Sequence, residues 1–137
     1  LHAETMAILQ EEAELQEIVQ LVGYDSLSAS DRLKLEAARM IREDYLQQNG
    51  FDEVDTYTSL AKQVAMLDLV ISFSRRSHEA LKAGARVEDI FAMKVKEKIA
   101  RAKYVPEEEA LTYIKNTKQE LEAELASLLT KEAADND

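Results

Sequence analysis

Apolar residues recur at helical rather than strand spacing along most of the chain. In residues 3–22, Leu15, Ile18, Val19 and Val22 fall on one face and glutamates crowd the other. This predicts a first amphipathic helix, stopped at Gly23, where glycine can take the left-handed conformation without steric cost. Ser28, with Asp31 three positions later, reads as an N-cap, and Leu33, Ala37, Met40, Ile41 and Leu46 mark a second helix ending at Asn49-Gly50. Thr58 or Ser59 caps a third helix with an expected buried stripe of Leu60, Val64, Leu67, Ile71, Ser74 and Leu81, closing before Gly84. Residues 87–93 and 95–102 read as two short helical turns, with Ile90, Phe91, Val95 and Ile99 facing one core. Pro106 suits the first turn of a last helix, since its missing N–H has no partner to lose there, and Glu107 to Glu109 complement the positive end of the dipole. Along that helix Leu111, Ile114, Lys118, Leu121, Leu125 and Leu128 alternate three and four apart, a seam for another helix. Residues 131–137 are expected to fray. The pattern therefore predicts an all-α bundle of about five helices, with an irregular loop between the second and third.

Composition narrows this picture. A chain of 137 residues suits one domain and can bury roughly two thirds of its unfolded surface. Hydrophobic residues at 46% and charged residues at 32% imply a packed core rather than disorder. Only three glycines and one proline interrupt a chain rich in helix formers. No internal repeat or interdomain linker stands out. The absence of cysteine removes disulfides, thiolate metal sites and cysteine nucleophiles together. No apolar run approaches the roughly 20 residues of a membrane-spanning helix, and no signal peptide is expected. A net charge of −10 opposes binding to nucleic-acid backbones. Because the first residue is Leu1, the chain is expected to be a piece of a larger protein, a single helical domain over residues 1–137.

The chemistry that the sequence lacks is equally informative. A phosphate-binding loop needs glycine followed by lysine and a hydroxyl residue, and Gly23, Gly50 and Gly84 are never followed by lysine. His2 and His78 are too far apart for a helical metal pair, and without cysteine the familiar zinc spacings are closed. Asp52, Glu53 and Asp55 lack the spacing of a calcium loop and read as solvated acids or caps. Arg75-Arg76 reads as surface ion pairing, with contact to a phosphate or acidic partner as the sharper alternative. No catalytic residue and no metal ligand is expected.

Two segments are more specific. The run Ile41-Arg-Glu-Asp-Tyr-Leu-Gln-Gln-Asn-Gly-Phe51-Asp-Glu-Val-Asp-Thr-Tyr57 resembles the catalytic A subunit of rotary ATPases of the archaeal and bacterial V-type, or A-type, branch. The resemblance continues through Glu14-Leu-Gln-Glu-Ile-Val-Gln-Leu-Val-Gly23 and Glu97-Lys-Ile-Ala-Arg101, and so covers roughly residues 15–109 in order. It implies a C-terminal helical domain whose phosphate-loop nucleotide domain lies elsewhere, which would account for the missing glycine loop. It also implies B subunits alternating in a hexamer, a central stalk, ATP or ADP with Mg2+ in the full subunit, coupling to H+ or Na+ transport, and a peripheral place on the cytoplasmic side of a membrane. No cofactor and no hydrolysis are expected of this chain alone.

By the same resemblance, Gln48-Asn-Gly-Phe51 is similar in place to the short QPF segment of F-type catalytic subunits, whose phenylalanine packs against adenine. Phe51 is then the leading nucleotide contact, with Gln48 and Asn49 along the same edge. The stretch from Gly23 to Asp31 is similar in place to the acidic DELSEED loop of F-type subunits, which implies a central-stalk contact through Asp25, Ser26, Leu27, Ser28 and Asp31. Only Asp25 and Asp31 keep the acidic pattern, which favours a steric over an electrostatic push. The competing reading is a stand-alone helical scaffold or adaptor that binds a partner through the seam at residues 111–128.

Overall fold

The computed structural model describes residues 1–46 and 59–135, and every regular element among them is helical. Helix α1 (His2–Val22) leads through a 3-10 turn (Tyr24–Ser26) into α2 (Ala29–Met40), which continues as a π-helical turn (Ile41–Leu46). Then come α3 (Leu60–Lys82), α4 (Val87–Phe91), α5 (Val95–Arg101), a 3-10 turn (Ala102–Tyr104) and α6 (Glu107–Asp135). The two short turns expected after α3 are separate helices, so the described residues hold six α-helices rather than about five.

Local chemistry sets several of the boundaries. Ser28 Oγ accepts the Asp31 N–H at 3.1 Å, and Ser59 Oγ accepts the Lys62 N–H at 3.0 Å, so both hydroxyls satisfy a donor that a helix start leaves open. Gly23 ends α1 as expected, its N–H donating to the Val19 carbonyl at 2.8 Å. Its backbone, at φ 87° and ψ 156°, lies in the extended positive-φ region rather than the left-handed helical one. That region is nearly exclusive to glycine. A Cβ there would meet no atom within 4 Å, so any cost of substitution comes from the backbone itself.

Helix α3 is central and packs against α2 on one side and α6 on the other. Its expected stripe is met in part: Ile71 and Ser74 are buried and Leu67 and Leu81 pack against the core, but the first turns differ. Leu60 and Val64 are exposed, at 75% and 47%, whereas Lys62, Met66, Leu69, Val70, Phe73, Ser77 and Ala80 join Ile71 and Ser74 inside. A helix buried on two sides carries apolar residues around most of its circumference, so spacing alone leaves its rotation undetermined. The seam of α6 is largely the expected one, with Ile114, Leu121 and Leu125 buried and Leu128 packed against the core, while Leu111 is exposed and Lys118, which interrupts the seam, reaches out to Asp68 at 2.6 Å.

Two cores result. The larger gathers Leu33, Met40, Leu69, Phe73, Ile90, Ile99 and Leu121 with their neighbours from α2 through α6. The smaller consists of Leu15, Leu27 and Leu35, with Val19 against it, and ties the end of the α1–α2 hairpin together. Ion pairs join the helices at the surface: Arg42 to Glu12 and Arg75 to Glu4 at 2.5 Å hold α1, and Arg76 to Glu122 at 2.6 Å spans α3 and α6. Both members of the Arg75-Arg76 pair are thus used in salt bridges, as the sequence suggested.

Candidate functional site

The hairpin tip brings together the five residues expected there. Asp25, Ser26 and Ser28 are exposed, while Leu27 is only 7% exposed and is held in the small core with Leu15 and Leu35. Leu27 therefore anchors the turn from below. Ser26 Oγ donates to the Val22 carbonyl at 2.8 Å and the Leu27 N–H to the Tyr24 carbonyl at 3.0 Å, which close the turn on itself. Asp31 gives its N–H to the Ser28 cap, and its carboxylate lies 3.8 Å from Lys34. Asp25 is left as the outward carboxylate.

Sequence reasoning missed the apolar part of this tip. Leu21 is 84% exposed, and Ile18, Val22 and Tyr24 stand out of the fold beside it. Four large apolar groups in one small region are unusual for a surface that meets only water, and such clusters mark contact sites. The signal was available: between residues 15 and 22 α1 carries more apolar side chains than a single partner helix can cover. A cavity of about 240 Å³ lies behind the tip, lined by Gln16, Val19, Tyr24, Arg32, Arg39 and Arg42 among others. The Nε of Arg32 is buried there without a hydrogen-bond partner.

Gln48, Asn49 and Phe51 lie outside the described residues, as do Asp52, Glu53 and Asp55. Before them, Lys103 Nζ donates to the Glu43 carbonyl at 2.8 Å. After them, Glu107 accepts both the Ser59 N–H, at 2.6 Å, and the Ser59 hydroxyl, at 2.9 Å. These bonds hold the Glu107 carboxyl below the usual carboxylate range, the Ser59 N–H foremost. Lys62, only 5% exposed, donates to the Val105 carbonyl at 2.7 Å and the Lys103 carbonyl at 3.2 Å. A buried ammonium is tolerable only with such acceptors. The bonds of Lys62 have no counterpart in the sequence reading, because a buried lysine reads as a surface residue in any hydrophobicity pattern.

Asp44, in the π-helical turn, is also buried. Burial raises its pKa, against the attraction of Arg39 and Lys103, with Glu43 and Glu36 raising it further. A carboxyl whose folded pKa is raised penalises the folded state above that pKa, and the penalty is relieved as pH falls toward the ordinary aspartate range. Asp44→Asn is thus expected to raise the melting temperature at pH 7, with the gain shrinking on acidification. A variant less stable than the parent at pH 7 would mean that attraction to Arg39 and Lys103 outweighs burial.

The seam at residues 111–128, the surface needed by an adaptor, is largely consumed by packing: Ile114, Leu121 and Leu125 are in the main core, and Leu128 packs against it. No helix among the described residues is long and apolar enough to cross a membrane.

The described residues define an all-helical domain with exposed apolar side chains at the tip of its first hairpin. The chain belongs to the family described as the C-terminal domain of V and A type ATP synthase, whose model matches residues 1–91. It is similar to the V-type ATP synthase alpha chain of Acetivibrio thermocellus, 54% identical over 132 residues, which is 96% of this chain and 22% of the relative. The protein of the same name from Clostridium novyi is 54% identical over 137 residues, covering 99% of this chain and 23% of that one. That of Clostridioides difficile is 50% identical over 133 residues, 97% of this chain and 22% of the relative. The chain thus spans less than a quarter of the length of these relatives.

Proposed function

We propose that the chain is the C-terminal part of the catalytic, nucleotide-binding A subunit of a rotary ATPase, and that it borders the adenine end of the nucleotide site and relays motion to a central stalk. In this reading the full subunit alternates with B subunits in a hexamer on the cytoplasmic side of a membrane. The assembly couples ATP synthesis or hydrolysis to H+ or Na+ transport. The observation that carries the assignment is similarity at 50–54% identity, over nearly all of this chain, to proteins named V-type ATP synthase alpha chain.

This chain's own residues fit only part of the work. Its sequence contains no glycine loop followed by lysine for phosphates. Among the described residues no group of three or more His, Cys, Asp or Glu is placed to hold a metal ion. In this reading the phosphates and Mg2+ of the nucleotide are held by the rest of the subunit and its neighbour. Phe51 supplies an aromatic face for the base, with Gln48 and Asn49 beside it. The α1–α2 hairpin suits the relay because it has its own small core and its tip turn is internally hydrogen-bonded. Packed helices of this kind move as bodies, with the dihedral change absorbed at loops or helix ends.

Stacking on an aromatic ring is worth about 1–3 kcal/mol per base where it has been measured in nucleic-acid systems. Phe51→Ala in the full subunit is accordingly expected to weaken ATP binding by roughly 5- to 150-fold. The measurement is equilibrium nucleotide binding to the assembled head, and unchanged affinity would remove Phe51 from the adenine site.

A further inference from the structure

We propose that the turn formed by residues 102–107 is a positioning platform for the adenine-side segment, with Lys62, Lys103 and Glu107 as its positioning residues. The proposal rests on the reading of Phe51 given above. It starts from a convergence of bonds that sequence distance does not require. Lys103 serves both flanks at once: its ammonium donates back to the Glu43 carbonyl, ahead of residues 47–58, and its own carbonyl accepts from Lys62, beyond them. Lys62 also takes the Val105 carbonyl, and two positions further Glu107 takes both the N–H and the hydroxyl of Ser59. Glu43 on one side of residues 47–58, and Ser59 and Lys62 on the other, are thus fastened to one stretch of six residues, across sequence separations of 41 to 60.

The platform is itself fixed to the bundle. Ala102 is buried in the main core, and Pro106 leads directly into α6. Neither flank can shift without breaking a charged hydrogen bond, and such bonds are about twice as strong as neutral ones. The cost is concentrated at Lys62, whose buried ammonium would lose its acceptors if the turn moved. Simple closure of a surface loop needs none of this: a hydroxyl cap and solvent would satisfy Ser59, and lysine at position 62 would ordinarily point to water. Three side chains committed to one turn restrict the directions from which the chain can enter and leave the segment carrying Phe51. A binding group presented in its competent arrangement for only a fraction of the time loses affinity by that fraction.

The test uses the full subunit in its assembled head and compares equilibrium binding of ADP and CDP, which share their phosphates and differ in the base. Lys103→Met removes the bond to Glu43, Lys62→Met removes the bonds to both carbonyls, and Glu107→Ala removes both bonds to Ser59. Each is expected to weaken ADP by roughly three- to tenfold while changing CDP by less than about twofold, the loss following from a competent fraction of about a third to a tenth. Combined with Phe51→Ala, each should add little further loss, because residues acting through one group are non-additive. Glu107→Gln, which keeps an acceptor for the Ser59 N–H and offers a donor to its hydroxyl, should restore most of the ADP affinity. Equal losses for ADP and CDP, or full additivity with Phe51→Ala, would overturn the platform and leave a purely structural turn. If Phe51→Ala weakens ADP and the platform variants do not, the platform falls and the adenine reading stands. Should Phe51→Ala itself leave ADP unchanged, both fall. Glu107 is exposed, so its variants keep the comparison available if removal of the buried Lys62 charge prevents folding.

Discussion

Phe73→Ala is expected to remove about 3–5 kcal/mol from the stability of the domain, the largest loss foreseen for any single side chain in it. Phe73 is fully buried, and it lies on α3, the helix that packs against both α2 and α6. Alanine would leave a void lined by residues from more than one helix. The side chains around it are themselves packed in the main core, so the space would close only in part. A domain of this size has a total stability of about 5–15 kcal/mol, so the variant would approach or cross the point of unfolding. Denaturant titration followed by circular dichroism measures the loss, with Leu60→Ala as the counterpart from the same helix. Leu60 is 75% exposed and should cost less than about 0.5 kcal/mol. The pair also tests the rotation of α3, since the stripe read from the sequence would have the larger loss at Leu60.

That reversal shows what the sequence could and could not reveal. The helical class, the Gly23 stop and the two serine caps follow from local rules that involve only neighbouring residues, and they are found in the structure. The rotation of α3 depends on which side meets which partner, and some of the deciding residues are small or polar: Ser77 and Lys62 lie inside, as Thr117 does on α6. A hydrophobicity pattern scores all three as surface. The turn between α1 and α2 follows from the Gly23 stop and the Ser28 cap, but Ile18 and Val22 read as a buried face, because their exposure depends on where α2 ends its cover. The bonds from Lys62, Lys103 and Glu107 join residues 41 to 60 positions apart and have no local signature.

If the hairpin tip bears on a stalk, as proposed, then Leu21→Ser with Val22→Ser should leave the domain as stable as before and lower the number of ions moved per ATP in the assembled motor. The two side chains are 84% and 58% exposed, so their loss should change folding stability by less than about 0.5 kcal/mol each. Against a partner, a leucine that becomes buried contributes about 1.5–3 kcal/mol, and removing two such contacts would let the tip slip before hydrolysis is affected. Leu27→Ala separates this effect from simple damage. It empties part of the three-leucine core under the turn and is expected to lower stability by about 2–5 kcal/mol, by far the greater structural insult. A contact role for Leu21 and Val22 therefore predicts uncoupling without destabilisation, whereas Leu27 should show destabilisation first. Undiminished ion transport per ATP in the Leu21 and Val22 variant would rule out these two side chains as the contact with a partner.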